Sequence, residues 1–449
     1  MKKIFVIGAG RSATDLIEYL LQHAADNDWE IIVGDFSESL AKEKVADHPR
    51  GRAIFFDAND ASARKERFQQ ASLVVSFLPS QMHTMVARDC LTYGCHLVTA
   101  SYLSPEIAAM DADAKEKGLV FLSEMGADPG IDHMSAMNHI DQIRAAGGEL
   151  TAFKSFCGAL VAPESNDNPF GYKFTWSPMN VITAGQHTAR YLENGQYRFI
   201  PYHKLFHETE TVEIPGCGTF EAYANRDSIR YREKYGIANL PTILRATLRY
   251  PGFCETWAAL VELGLTDPNY SINDSDQLTW REWVSSYVSI APGATLEKSI
   301  ADSLNISIDS PVMERLAWAG LFSDEIIERK NATPAQLLLD LLSRKLAFRT
   351  EDTDMLVMMD YFEYMMEGKT YAREAYLVVK GKDPRHTAIS LTVGLPAAIA
   401  VRLILQGKIQ ARGVMLPLLP EIYRPVLQEL QSLGISFTER EKEISSLVS

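Results

Sequence analysis

The chain has 449 residues, which is too long for one hydrophobic core and predicts a division into two domains. Its 46% hydrophobic and 23% charged residues are typical of globular proteins and argue against a fibrous, disordered or membrane class. The net charge of −14, without a stripe of Lys and Arg, argues against nucleic acid as a partner.

The five cysteines are scattered, with no C-x-x-C pair and no histidine cluster at zinc-ligand spacing. We therefore expect reduced thiols, no metal and a cytoplasmic protein. The first apolar run ends at Gly8 after four residues, which predicts a strand rather than a signal peptide. Nowhere does the sequence offer the roughly 20 apolar residues that a membrane span needs.

The first 125 residues alternate short apolar runs with amphipathic stretches. Strands are predicted at residues 3–7, 30–34, 52–56, 73–77, 96–99 and 119–123, and helices at residues 13–24 and 37–46. The nearly continuous apolar runs are typical of a parallel sheet that is covered by helices on both faces. This pattern predicts an α/β fold, a Rossmann doubly wound parallel sheet.

The pattern changes from about residue 126. Helices are predicted at residues 132–146 and 324–346, and strands at residues 150–156, 220–224 and 371–379. This mixture predicts a second, α+β domain over residues 126–385. The segment 387–405 is rich in small and aliphatic residues and predicts a buried helix, with which the chain is expected to return to the first domain.

A glycine-rich turn joins the first predicted strand to the first helix. Its residues are Gly8, Ala9, Gly10, Arg11, Ser12 and Ala13, the G-x-G-x-x-A form of the dinucleotide fingerprint. Gly8 suits a tight turn, Gly10 lets the backbone approach a pyrophosphate, and Ala13 lets the helix pack closely on the strand. The helix N-terminus attracts phosphate, so we expect a bound nicotinamide dinucleotide.

Asp35 ends the second predicted strand, where an acidic side chain accepts hydrogen bonds from the ribose hydroxyls. Its charge would repel the additional phosphate of NADP, which favours NAD over NADP. An Asp that caps the following helix is the alternative interpretation.

Later segments resemble, in family order, motifs of the saccharopine reductases, the glutamate-forming saccharopine dehydrogenases. They are residues 100–105, 124–133, 168–177, 223–228, 247–253 and 416–423. The resemblance implies that residues 1–125 are completed by about residues 386–449, and that residues 126–385 bind substrate and form a homodimer. It also implies an imine of 2-aminoadipate 6-semialdehyde and glutamate, which a nicotinamide cofactor reduces to saccharopine.

Substrate contacts follow from the three carboxylates of saccharopine, since a guanidinium binds a carboxylate through two parallel hydrogen bonds. The matching motifs imply Arg226 and Arg249 for this role, with Ser101, Tyr102, Thr247 and Leu248 beside them. A structural ion pair, for example between Arg226 and Asp227, is the alternative.

Catalytic roles are implied for Tyr102, Asp128 and Cys157. The alternatives are a packed ring at a strand end for Tyr102, a turn former before Pro129 for Asp128, and a small buried apolar residue for Cys157. Besides the glycine turn and Asp35, the predicted cofactor contacts are Asp57, Ala58, Phe77, Leu78, Ala100, Ser101, Asp128 and Ser177. His83, His133, Lys173 and Tyr172 also lie in or near the motifs, without a spacing that singles one out.

Residues 168–177 alternate polar and aromatic side chains. They predict either a loop around the nicotinamide or a strand with Tyr172, Phe174 and Trp176 on one face. Two other functions stay open: an imine-reducing dehydrogenase of the carboxynorspermidine type, and a non-catalytic protein that binds NAD.

Overall fold

The computed structural model describes residues 1–184 and 186–444. The strands are β1 (Lys2–Ile7), β2 (Trp29–Asp35), β3 (Gly51–Phe55), β4 (Leu73–Ser76), β5 (His96–Thr99), β6 (Val120–Leu122), β7 (Glu149–Val161), β8 (Ala189–Glu193), β9 (Gln196–Ile200), β10 (Thr209–Ile214), β11 (Gly218–Ala224), β12 (Thr242–Arg249), β13 (Asp354–Met366), β14 (Lys369–Lys380), β15 (Gly413–Met415) and β16 (Thr438–Ile444).

The helices are α1 (Thr14–Gln22), α2 (Glu38–Val45), α3 (Ala61–Phe68), α4 (His83–Tyr93), α5 (Pro105–Ala108), α6 (Asp111–Glu116), α7 (Ile131–Ala145), α8 (Pro178–Ile182), α9 (Tyr231–Lys234), α10 (Phe253–Glu262), α11 (Trp280–Ser285), α12 (Leu296–Ser303), α13 (Pro311–Ala319), α14 (Pro334–Lys345), α15 (Leu395–Leu405) and α16 (Pro420–Ser432). Among the described residues, no helix combines the length and the apolar character that crossing a bilayer requires.

The chain forms two compact units, one of Met1–Leu150 with Glu363–Ser449 and one of Thr151–Phe362. The expected division at residues 125 and 385 assigns α7 and β14 to the second domain, whereas the compact units group both with the N-terminal segment. As a division by function it stays a prediction. Residue 185 and the last five residues of the expected C-terminal part lie outside the described residues.

The first unit contains a seven-stranded sheet in the order β15-β6-β5-β4-β1-β2-β3, in which every pair is parallel. The six strands predicted for residues 1–125 all appear, each within one residue of its expected limits. The order reverses between β1 and β4, which is the crevice where open α/β sheets bind ligands. The Rossmann prediction is confirmed.

The carboxyl ends of four strands lie in one row. Ile7 is paired with both Gly34 and Ser76, and Ser76 is paired with Thr99. The segments that follow β1, β2, β4 and β5 therefore begin side by side at one edge of the sheet. These segments carry most of the predicted cofactor contacts.

The C-terminal segment returns to the first helix of the same unit. The predicted buried helix appears as a π-helical turn (Ser390–Gly394) that continues into α15. A Cβ atom on Gly394 would lie 2.9 Å from the backbone N of Leu16, so only glycine permits this close approach. The Ser390 hydroxyl accepts a hydrogen bond from the Asp15 N–H at 3.0 Å, which satisfies a backbone donor near the start of α1.

The second unit is an α+β unit whose strands include the run β10-β11-β12-β7-β13. Strand β12 is antiparallel to β11 and parallel to β7. Thr247 is paired with Tyr223 on one side and with Cys157 on the other. Because paired residues point to the same face of a sheet, these three side chains form one row.

The helix predicted at residues 324–346 is shorter than expected and begins at Pro334. Thr333 accepts a hydrogen bond from the Gln336 N–H, and the Gln336 side chain accepts one from the Thr333 N–H. This capping box starts the helix, while Ile326 and Ala332 form isolated β-bridges instead.

Residues 168–177 do not form a strand; only Phe174 makes an isolated bridge, to Ala347. Tyr172 and Phe174 nevertheless pack edge to face with ring centroids 6.0 Å apart, and the Trp176 indole donates a hydrogen bond to the Tyr172 hydroxyl at 3.1 Å. Of the two alternatives for this segment the strand is therefore wrong, although the aromatic residues do pack together.

Candidate active site

The glycine turn after β1 has the shape that a dinucleotide site requires. Gly8 has φ +101°, and a Cβ there would lie 2.8 Å from the Phe77 carbonyl oxygen. Gly10 faces open space, since a Cβ built there would meet no atom within 4 Å. Ala13 is fully buried, whereas Arg11 is exposed. The turn thus leaves room for a pyrophosphate beside Gly10.

Asp35 braces this turn. One carboxylate oxygen accepts a hydrogen bond from the Ala9 N–H at 2.7 Å, and the other accepts one from the Ser37 N–H at 2.8 Å. The side chain is only partly buried. Its charge is therefore partly balanced by two backbone donors.

The other predicted cofactor contacts of the first unit follow the carboxyl ends of its strands. Asp57 and Ala58 follow β3, Phe77 and Leu78 follow β4, and Ala100 follows β5. Asp57 accepts a hydrogen bond from the Asn59 N–H at 2.8 Å. Ser177 belongs to the other compact unit, where it is exposed before α8. Its role stays a prediction.

His83 connects two strand ends beneath the predicted site. Its Nδ1 lies 2.9 Å from the Ser76 hydroxyl, and its Nε2 lies 2.7 Å from the Ser101 hydroxyl. Burial lowers the pKa of His83 to about 4, so the imidazole is neutral at pH 7. The sequence placed Ser101 in the site but did not reveal this bridge.

Tyr102 and Asp128, both predicted catalytic residues, are in contact. The Tyr102 hydroxyl donates a hydrogen bond to Asp128 at 3.1 Å, and both side chains are partly exposed. Asp128 also precedes Pro129 in the turn that leads into α7, as the alternative interpretation expected. The structure thus joins two candidates that lie 26 residues apart in the sequence.

Glu124 holds the segment that carries Ser101 and Tyr102. Its own N–H donates to the Ser101 carbonyl at 3.1 Å, and its carboxylate accepts from the Leu103 N–H at 2.9 Å. The second carboxylate oxygen lies 2.7 Å from Nε2 of His133, and both side chains are fully buried. Glu124 adopts φ +61°, a conformation that is unfavourable for a residue with a side chain. A buried hydrogen-bond network therefore fixes this loop.

Arg249 is the most distinctive predicted residue of the second unit. It is 2% exposed, and its guanidinium carbon lies 5.2 Å from the ring centres of Tyr172 and Phe253 and 5.7 Å from that of Tyr223. It donates hydrogen bonds to the Leu248 carbonyl at 2.8 Å and to the Tyr223 hydroxyl at 3.4 Å. Within residues 1–184 and 186–444, its Nε has no hydrogen-bond partner, and no carboxylate forms an ion pair with it.

Arg226 follows β11 and is exposed, with φ +51°. Both Arg249 and Arg226 lower the pKa of Tyr223, although burial has the larger, opposite effect and raises it. Both cations therefore lie near the same phenol. Asp227, the alternative partner expected for Arg226, accepts a hydrogen bond from Arg190 at 2.6 Å.

The remaining candidates of this unit lie on or near β12. Thr247 and the buried Cys157 share the row that contains Tyr223. Leu248 is fully buried, and its carbonyl accepts a hydrogen bond from Arg249. Lys173 is buried in an ion-pair cluster with Asp352 at 2.6 Å and Asp167 at 2.9 Å, which gives it a structural role. No group of residues suited to hold a metal ion occurs in the described part of the chain.

Two family models match the chain. Residues 4–122 match the saccharopine dehydrogenase NADP binding domain, and residues 126–435 match the saccharopine dehydrogenase C-terminal domain. These matches agree with the resemblance found in the sequence motifs.

Curated relatives match over nearly the whole chain. The saccharopine dehydrogenase (NADP(+), L-glutamate-forming) of Saccharomyces cerevisiae is 33% identical over 98% of this chain and 99% of the relative. The mitochondrial alpha-aminoadipic semialdehyde synthase of Bos taurus is 34% identical over 97% of this chain but only 47% of the relative. The chain thus spans about half the length of that synthase. A solved structure of apo saccharopine dehydrogenase (L-Glu forming) from Saccharomyces cerevisiae superimposes with a TM-score of 0.87 at 31% identity and covers 98% of this chain and 100% of that one.

The expectation that Asp35 favours NAD over NADP is wrong. The matching family model is an NADP binding domain, and the fungal dehydrogenases carry NADP(+) in their names. The expectation treated Asp35 as a charge directed at the ribose, whereas its two oxygens accept the Ala9 and Ser37 N–H groups.

Both halves of the chain therefore carry the domains of one family, and a full-length relative shares a third of its residues. The chain belongs to the saccharopine dehydrogenase family.

Proposed function

We propose that this protein interconverts saccharopine with glutamate and 2-aminoadipate 6-semialdehyde through an imine, using NADP(H). The observation that carries the proposal is the buried guanidinium of Arg249, which has no carboxylate partner in the described residues. A buried cation without a counter-ion is costly, and a substrate carboxylate would offset that cost. The names of the full-length relatives support the same substrate.

Arg249 is suited to orient an anionic substrate. The rings of Tyr172, Tyr223 and Phe253 surround the guanidinium and limit its movement. Its unpartnered Nε is a donor that is available to an anion. Burial raises the pKa of the Tyr172 and Tyr223 phenols, so both remain neutral and neither supplies the missing negative charge.

Tyr102 and Asp128 are suited to act at the amine. The hydrogen bond between them keeps the Asp128 carboxylate beside the Tyr102 hydroxyl, and both groups are partly accessible to solvent. Asp128 then favours a positively charged secondary amine or imine electrostatically, and Tyr102 fixes the carboxylate in place.

The glycine turn fits a dinucleotide, because space lies open beside Gly10 and the backbone of residues 10–13 leads into α1. We assign three side chains to the additional phosphate of NADP. They are Arg11 in the glycine turn, and Ser37 and Ser39 after the end of β2. When bound, the nicotinamide supplies or accepts the hydride, and the protein supplies position and electrostatic field.

Absorbance at the reduced-nicotinamide band tests this proposal. Purified protein with saccharopine and NADP should produce NADPH, and NAD should give a lower kcat/KM. In the reverse direction, glutamate and the semialdehyde should consume NADPH, whereas a diamine with aspartate semialdehyde should not. Turnover only with the diamine pair, or dinucleotide binding without any turnover, would reject the proposal.

A cytoplasmic location and a homodimer stay part of the proposal. Light scattering of the purified protein and fractionation of the cells that produce it would test them.

A further inference from the structure

The hydrogen bonds of His83 form a closed set. Ser76 is 1% exposed, and its hydroxyl contacts only Nδ1 of His83 among the described residues. The Ser101 side chain contacts Nε2 of the same imidazole, at 2.7 Å, and is partly exposed. A neutral imidazole has one donor and one acceptor nitrogen, so its two neighbours must play opposite roles.

The buried Ser76 hydroxyl decides which nitrogen is the donor. If Nδ1 carried the proton, Ser76 would accept it, and the proton of Ser76 itself would have no acceptor. A buried donor without a partner is rarer and costlier than an acceptor without one. Ser76 therefore donates to Nδ1, and Nε2 carries the ring proton and donates it to Ser101. The Ser101 hydroxyl proton is then free to point outward.

We propose that His83 is a positioning residue whose Nε2–H form, selected by Ser76, makes Ser101 a hydrogen-bond donor to an acceptor oxygen of the bound ligand. This inference rests on the proposed function for the identity of the ligand. The lowered pKa of His83 agrees with the neutral ring that the geometry requires.

The ligand atom opposite Ser101 must be an acceptor, such as a carboxylate oxygen of the amino-acid substrate or an oxygen of the dinucleotide. Ser101 follows β5 at the carboxyl edge of the sheet, where both classes of ligand bind. An ammonium group at this position would face the hydroxyl proton of Ser101, and two donors do not form a hydrogen bond with each other.

The protonated nitrogen of His83 can be observed directly. Long-range ¹H–¹⁵N correlation spectra of the full-length protein with ¹⁵N-labelled histidine would report it, and His83→Gln would identify its signals among the ten histidines. We expect the Nε2–H form at pH 7 and no protonation of Nδ1 down to pH 5.5. A ring protonated at Nδ1, or at both nitrogens, would overturn the inference.

Kinetics distinguish the two sources of the acceptor. His83→Leu removes both ring nitrogens and should raise KM about tenfold for the ligand that contacts Ser101, since one oriented hydrogen bond to a charged group is lost. KM for the other ligand should change by less than about twofold. A rise in KM for saccharopine identifies a substrate carboxylate as the acceptor, and a rise in KM for NADP identifies an oxygen of the cofactor. Equal changes for both ligands, or no change, would refute the donor role.

His96→Leu is the matched control. His96 lies on β5, the strand that Ser101 follows; its pKa is lowered to about 4 chiefly by burial, and it accepts a hydrogen bond from the Val120 N–H at the opposite end of the strand. It should leave both KM values unchanged. Should His83→Leu fail to fold, Ser101→Ala removes the same donor and should give the same selective rise in KM. If the wild-type protein turns over no saccharopine, the proposed function fails while the spectra still test the ring.

Discussion

Arg249 combines full burial with a set of neighbours that carry no formal negative charge in the described residues. Stacking on Tyr172, Tyr223 and Phe253 stabilises the planar guanidinium and leaves its charge unbalanced. We therefore expect Arg249 to contribute more to ligand binding than to the stability of the free protein.

Replacing Arg249 with Lys should raise KM for saccharopine about ten- to a hundredfold, since Lys cannot reproduce the forked pair of hydrogen bonds. KM for NADP should change by less than about twofold. Arg245→Lys is the control, because Arg245 is also buried on β12 and stacks on Tyr231 at 4.7 Å. Steady-state kinetics with each substrate varied in turn would measure both effects. Equal changes in both KM values for Arg249→Lys would contradict its role as a substrate ligand.

Glu124→Gln should lower kcat about tenfold, because the charge that holds the Leu103 N–H and faces His133 is lost and Tyr102 shifts relative to Asp128. The dissociation constant for NADP should change little.

Glu421→Gln is a control for that change, since the Glu421 carboxylate likewise holds a backbone segment, by accepting the N–H groups of Gln410 and Ala411. It should lower the melting temperature without lowering kcat. The same loss of kcat in both variants would indicate a general loss of stability rather than positioning.

At this scale, the roles that sequence motifs implied for Tyr102, Asp128 and Arg249 stay predictions, whereas the bridge formed by His83 was missed. Ser76 ends β4, His83 begins α4 and Ser101 follows β5, so no periodicity within a single helix or strand relates the three residues. Asp35 was located correctly, but its hydrogen bonds to backbone donors have no signature in the sequence, and the cofactor expectation built on it was wrong.

The close contact between the π-helical turn and α1 connects the C-terminal segment to the glycine turn. A methyl group on Gly394 would meet the Leu16 backbone N at 2.9 Å and the Ser12 carbonyl oxygen at 3.1 Å. Gly394→Ala should therefore displace the start of α1 and weaken NADP binding about tenfold, as measured by fluorescence titration.

Gly407→Ala is the matched control at the other end of α15. It meets open space but has φ +70°, so it should cost about 1–2 kcal/mol of stability through backbone strain alone. NADP binding should be retained. Equal loss of NADP affinity in the two variants would show that the contact with α1 is not responsible.

Elements with continuous apolar runs, such as β1 and β4, were predicted to within one residue. The failure at residues 324–346 has a local cause, because the reciprocal bonds of Thr333 and Gln336 start the helix ten residues later than its apolar periodicity suggested. Side-chain caps therefore decide limits that periodicity alone does not.

Two buried histidines and one partly buried histidine of the first unit make the stability of the whole molecule depend on pH. Burial is the main cause that lowers the pKa of His83, His96 and His139 to about 4, below the value of about 6.5 for an unfolded chain. The unfolded chain therefore binds protons first as the pH falls. The contribution of these histidines to the free energy of unfolding is therefore fully present above about pH 6.5. It decreases towards pH 4, by at most about 1.4 kcal/mol per pH unit for each histidine.

Urea unfolding at pH 7 and pH 5 would measure this loss. The free energy of unfolding should differ less between the two pH values in His96→Gln than in the wild-type protein. A free energy of unfolding that is the same at both values would contradict the prediction. Few carboxylates with ordinary pKa values change charge in this interval, so the histidines dominate it.

The sequence predicted two domains and a return of the chain to the first one, because the apolar segment at 387–405 needed a partner. It did not predict that the compact units would divide at residues 150 and 363, since the packing of α7 with α16 depends on contacts between distant segments.

Strand β15 pairs with β6, although the whole of Thr151–Phe362 separates them in the chain. During synthesis, the sheet of the first unit therefore keeps one unpaired edge, at β6, until the ribosome has produced the entire second unit. A nascent chain halted near residue 362 should therefore be captured by chaperones and cut readily by proteases, and should gain resistance only once the last strand of the sheet has emerged.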